Sequence, residues 1–160
     1  MQTLSDMRRN SSYNKYLKLS ILALVLLLYQ IFSSVYIFLS PLVGFFFAYM
    51  VKNFKRDNLE VYLAFLYLCF FELNQGFYLF SIAALFAVFY TFLKPRIDAV
   101  FENRLWIVVI TVASAYLGMF LINIFLAYIF NHEFFTLGIA YFFYIIVDTI
   151  LSILLLKHEK

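Results

Sequence analysis

Charged residues along this chain come in short bunches, and between them run apolar stretches too long and too uniform to be strands or one-sided helices. Residues 19–51 carry no charge at all. As a single helix they would be about 50 Å long at 1.5 Å per residue, against a hydrocarbon core of roughly 30 Å. Two helices fit better, with a break at Ser33-Ser34 or Ser40-Pro41 and with Lys15, Lys18 and Lys52 snorkelling to make up length. Residues 61–93 repeat the pattern, interrupted by Phe71-Glu72-Leu73-Asn74-Gln75-Gly76, which reads as a turn. Residues 105–130 and 134–156 each suit one span, with Asn131-His132-Glu133 between them. The pattern predicts an all-α membrane protein. Six transmembrane helices form three helical hairpins in one domain over 15–157, after a polar tail at 1–14.

Composition points the same way: 66% of the 160 residues are hydrophobic and only 13% charged, about half the charged share of an ordinary soluble domain. With a mean hydropathy of +0.92, lipid has to do the covering that polar surface does elsewhere. The net charge of +3 matters through its placement, which favours lipid headgroups and gives no basis for a nucleic-acid partner. The twelve basic residues fall in four clusters: Arg8, Arg9, Lys15 and Lys18; Lys52, Lys55 and Arg56; Lys94, Arg96 and Arg104; Lys157 and Lys160. With six spans and both termini cytoplasmic, all twelve lie inside, as the positive-inside rule asks. With two long single helices in place of the first two hairpins, the Lys52 to Arg56 cluster would lie outside. The six-span order leaves 33–41, 72–76 and 131–133 as short outer connections without Lys or Arg. The basic start and apolar 19–32 also suit a signal peptide, but no small-x-small cleavage site follows, so 19–32 is expected to remain as the first span.

Ionisable groups at membrane depth are costly, so those in the spans carry the most information. Asp148 lies nine residues before Lys157, about 13 Å from the cytoplasmic end of the last helix. Thr111 and Ser114, counted inward from Arg104, come to similar depths, so either hydroxyl is expected within reach of Asp148, while Asn123 lies too far toward the outer side. Asp148 then acts as a polar lock of the bundle, an ion or proton site, or a contact for a partner. Ser114-x-x-x-Gly118 adds a small-residue patch that lets helices approach closely. At the outer turn, Glu72, Asn74, Gln75 and Gly76 either satisfy exposed backbone or bind something. The cytoplasmic segment 94–104 places Ile97, Val100 and Phe101 at helical spacing beside Arg96, as an interfacial half-helix or a docking surface.

Catalytic and metal patterns are missing. His132-Glu133 is followed by two phenylalanines rather than completing a zinc motif, and the four glycines are too scattered for a phosphate loop. Serines occur without an intramembrane histidine to activate them, and Asp148 is the only aspartate in a span. The single cysteine, Cys69, allows no internal disulfide. No enzyme activity, metal or cofactor is expected.

Six spans without a soluble domain, Phe38-Leu39-Ser40-Pro41 before the second span, and Glu72-Leu73, then Gly76 and Leu79 around the second turn, resemble the rod-shape-determining MreD family of the bacterial inner membrane. The resemblance runs over about residues 17–157. It departs from the family pattern at Glu72, where Asp is more usual, and at Phe80, where a glycine is expected. It implies a non-catalytic scaffold of the cell-elongation machinery, linking an MreC-like bitopic protein to the peptidoglycan synthase complex. By that comparison the contact positions are Glu72, Asn74 and Gly76 outside and the 94–104 loop inside, with Asp148 a structural lock. Six short helices with a polar outer turn also resemble the substrate-binding membrane subunit of vitamin uptake systems. The first helix, however, has only Ala23 where those subunits carry an alanine-x-x-x-alanine motif.

Overall fold

The computed structural model describes residues 4–36, 38–55, 58–131 and 138–157, and every regular element among them is helical. In chain order these are α1 (Leu4–Val35), α2 (Val43–Asn53), α3 (Leu59–Gln75), α4 (Ser81–Val88), a π-helical turn (Phe89–Leu93), α5 (Lys94–Val100), α6 (Arg104–Phe130) and α7 (Ala140–Lys157). The stretches Tyr16–Val35 and Arg104–Phe130 are long and apolar enough to cross a membrane, and Ala140–Leu155 is a shorter apolar helix.

The first apolar stretch breaks between Val35 and Val43, around the second of the two expected places, Ser40-Pro41, while Ser33 and Ser34 lie within α1. The second breaks a little later than expected. Glu72 to Gln75 form the last turn of α3 rather than a loop, Gly76 ends the helix at φ 71°, and the reversal is made by 76–80. Glycine suits that position because a left-handed backbone costs it nothing. After Ser81 the helix runs on through α5 to Val100, so the 94–100 segment continues α4 and is not a separate interfacial half-helix. Pro95 explains the π turn just before it. Proline has no N–H, and its ring collides with the carbonyl four residues back, which a widened turn relieves. His132 and Glu133 lie outside the described residues, and Asn131 closes α6 in the left-handed conformation.

Helix α2 is the axle of the bundle. It buries eight of its eleven residues and packs against α3, α6 and α7. Its Phe47 is fully enclosed and meets Phe86 and Phe89 edge-on, with ring centroids 6.0 and 5.4 Å away. This core is mostly apolar, but it also holds polar side chains, and large apolar ones lie outside it. Gln30, Glu72, Asn123, Asp148 and Ser152 are fully buried, whereas Phe92, Phe125 and Phe142 are more than 60% exposed. Asp148, Glu72 and Asn123 are hydrogen-bonded within the bundle, whereas the Gln30 amide and the Ser152 hydroxyl have no partner among the described residues; large apolar side chains on the outside suit an apolar surround, where burying more hydrocarbon yields little.

Candidate functional site

Two of the helices start inside the bundle, and each start poses the same problem. The first N–H groups of a helix have no partner within it, and neither Leu42 before α2 nor Phe80 before α4 carries a capping side chain. Both residues are left-handed, with φ 54° and 67°, a conformation that costs a residue with a Cβ about 1–2 kcal/mol. In each case a buried carboxylate from another helix supplies the cap.

For α2 the carboxylate is Asp148 of α7. Its Oδ2 accepts from the Gly44 N–H at 2.8 Å, from the Tyr116 hydroxyl at 2.7 Å and, more loosely, from the Phe45 N–H at 3.4 Å. The Ser40 hydroxyl donates to Oδ1. Negative charge or dipole at a helix start is favourable in itself, and here it also fixes the non-helical 38–42 segment. That segment is held from two further sides: Tyr29 of α1 donates to the Ser40 carbonyl at 2.6 Å and Tyr67 of α3 to the Pro41 carbonyl at 2.8 Å. Gly44 is required by the crowding. A Cβ there would lie 2.5 Å from Val112 Cγ1, 3.0 Å from Tyr116 Cε2 and 3.2 Å from Asp148 Oδ2.

For α4 the carboxylate is Glu72 of α3. It accepts from the Phe80 N–H at 2.8 Å, from the Ser81 hydroxyl at 2.6 Å and from the Ile82 N–H. Asn123 of α6 braces the same turn, accepting from the Tyr78 N–H at 2.9 Å and donating to Ser81 Oγ at 3.1 Å and to the Met119 carbonyl at 2.8 Å.

Several expectations change. Thr111 and Ser114 do not meet Asp148. Each donates to a carbonyl of its own helix, Ile107 at 2.6 Å and Thr111 at 2.8 Å, the usual fate of short hydroxyls within helices. The partner on α6 is instead Tyr116, whose longer side chain spans the gap. Glu72 is not an exposed contact residue but is wholly buried, while Asn74, Gln75 and Gly76 beside it are exposed. Gly118 faces Leu85 of α4, and Gly44 of α2 lies so close to Val112 and Tyr116 of α6 that a Cβ would not fit between them. At the other end of the bundle Arg96 and Val100 are exposed, Ile97 is half-buried against the core, and Phe101 is half-buried just past the end of α5. Lys94 donates to the Val51 carbonyl near the end of α2 at 2.9 Å, with its ammonium 4.7 Å from the centre of the Tyr90 ring.

Between the two carboxylate nodes lies a cavity of about 140 Å³, lined by Phe71, Gln75, Phe77, Tyr116, Met119, Phe120 and Tyr141. Among the described residues no group of three His, Cys, Asp or Glu side chains is arranged to hold a metal. No family model, curated protein or solved structure matches the chain. Sequence reasoning missed Ser40, Gly44 and Tyr116 as partners of Asp148. The signal for the first two was present as Ser40-Pro41-Leu42-Val43-Gly44, a serine and a glycine flanking a helix start inside an uncharged stretch.

Proposed function

We propose that the chain is a six-span, non-catalytic scaffold of the bacterial inner membrane, binding other membrane proteins of the cell-elongation machinery through its exposed turns and helix faces. In this reading α1, α2, α3, the continuous helix 81–100, α6 and α7 are the six spans. The short α2 is completed by the non-helical 38–42 segment, which is tolerable at membrane depth because protein groups satisfy its backbone. The partners follow the MreD resemblance: an MreC-like bitopic protein and the peptidoglycan synthase complex.

The observation that carries the reading is the closure of both buried carboxylates. Asp148 and Glu72 each receive three or more donors from the chain itself, so they act as internal fasteners rather than groups awaiting an ion or solute. A carrier of polar solutes needs convergent polar groups in a cavity, whereas the cavity beside Glu72 is walled mainly by aromatic rings. The contact surface therefore contracts to Asn74, Gln75 and Gly76 on the outer side and to Arg96, Val100 and Phe101 on the inner side.

Two measurements test this. Cysteines at Ser34 and Gln75 in a Cys69→Ala background label from outside and one at Asp98 from inside; labelling of Gln75 from the cytoplasm refutes the six-span order. A photoreactive residue at Gln75 in living cells captures an elongation-complex protein, and depletion of the chain abolishes rod shape. Capture of none, with normal shape after depletion and a polar solute stabilising the purified protein, overturns the scaffold and points to a carrier.

A further inference from the structure

The cavity between the two carboxylate nodes, whose aromatic walls speak against a carrier of polar solutes, has a size and a lining that suit a ligand of another kind. Its walls are two ring pairs. Phe71 and Phe77 lie 5.9 Å apart on the α3 side, and Tyr116 and Tyr141 meet edge to face at 6.3 Å on the α6 and α7 side. Both walls are tied to the carboxylate nodes. Phe71 precedes Glu72, and Phe77 donates its N–H to the Glu72 carbonyl at 2.9 Å, so that wall is tied to the capped start of α4. Tyr116 is tied through its hydroxyl to Asp148 at 2.7 Å. The pocket is open on one side and offers about 140 Å³, close to the volume that admits a benzene ring in an apolar protein interior. Gln75, exposed at the end of α3, supplies an amide among the lining residues.

We infer that this cavity is a preformed binding site for a single planar aromatic ring whose polar substituent is held by the Gln75 amide. Rings bind rings best offset or edge to face at centroid distances of 4.5–7 Å, and the two wall pairs offer faces and edges on opposite sides of the void. The ring comes either from a small free compound or from an aromatic side chain of a partner. The site itself does not depend on the scaffold reading; occupation by a partner's side chain would join the two.

The test uses the full chain in detergent, with indole as the probe and cyclohexanol, which is non-planar, as the control. Indole at ten times its Kd raises Tm by about 3–5 °C and cyclohexanol at the same concentration does not. Met119→Trp, which fills the void from within, removes the response to indole. Phe120→Trp does the same from a second wall position, so that a failure of one variant to fold leaves the other to decide. Equal shifts with indole and cyclohexanol, or an undiminished indole response in the folded filled variant, overturn the site. The source is read from membranes carrying a photoreactive residue at Phe77. A crosslink to an aromatic residue of another polypeptide that indole competes away assigns a partner side chain, whereas an aromatic compound extracted with the protein and lost in Met119→Trp assigns a free ligand. Finding neither overturns a natural occupant. The scaffold reading fails by a different result, normal cell shape on depletion.

Discussion

Asp148 offers the sharpest test of how this bundle is held, because two substitutions of similar size should behave differently. Asp148→Leu removes the acceptor for the Gly44 N–H, the Ser40 hydroxyl and the Tyr116 hydroxyl, all in the interior. A buried donor left without a partner costs about 1–3 kcal/mol. The two hydroxyls can turn toward other oxygens while the Gly44 N–H cannot, so the total falls near the low end for three groups, about 3–5 kcal/mol. Asp148→Asn keeps an acceptor. With its oxygen in the place of Oδ2, it still receives the Gly44 N–H and the Tyr116 hydroxyl, and its amide nitrogen donates to Ser40 Oγ, which switches from donor to acceptor. What is lost is the charge-assisted character and the long Phe45 bond, about 1–2 kcal/mol. At about 2–4 °C per kcal/mol for a chain of this size, Tm in detergent should fall by about 2–8 °C for Asn and by about 6–20 °C for Leu. Thermal unfolding followed by Trp106 and tyrosine emission reads both. Tyr116→Phe should add little in the Asp148→Leu background while costing about 1 kcal/mol in the native one, since the bond it breaks is already gone. Equal stability of the native, Asn and Leu proteins, or additive Tyr116→Phe and Asp148→Leu effects, would refute the fastening role.

Two further outcomes follow from the same geometry. Gly44→Ala places a methyl group 2.5 Å from Val112 Cγ1, an overpacking expected to cost about 1–3 kcal/mol, and Val112→Ala in the same chain should recover part of the lost Tm; a neutral Gly44→Ala would contradict the close approach of α2 to α6. Glu72→Gln should be tolerated better than Glu72→Leu by about 2 kcal/mol, because the amide oxygen still receives one of the N–H groups at the start of α4; the opposite order, measured by the same unfolding assay, would contradict the cap.

How much of this was legible beforehand depends on how far apart the relevant residues lie. The helix breaks and the polar status of Asp148 and Glu72 were visible because each is a local departure from an uncharged stretch. The depth argument for Asp148 chose the correct neighbouring helix but the wrong residues. Depth along an axis says nothing about rotation around it, and Thr111 and Ser114 are satisfied by their own helix whichever way they point. Glu72 was read as an exposed contact because it stands next to exposed amides. One helical residue separates the wholly buried Glu72 from the exposed Asn74, a difference set by which face of α3 meets α4.

The sequence by itself determined that the described elements are helical, roughly where the long apolar stretches break and that Lys and Arg stay out of them, since these follow from backbone hydrogen bonding and transfer free energy summed over neighbours. Only the tertiary structure decided which helix start each carboxylate would cap, that Gly44 packs tightly on Val112 of α6 while Gly118 meets Leu85 of α4, and that a ring-lined pocket remains between the two nodes. Those outcomes join residues 8 to 108 positions apart. In an interior where most side chains are apolar, hydrophobicity does not discriminate among the ways such residues can meet, and a few directional hydrogen bonds do.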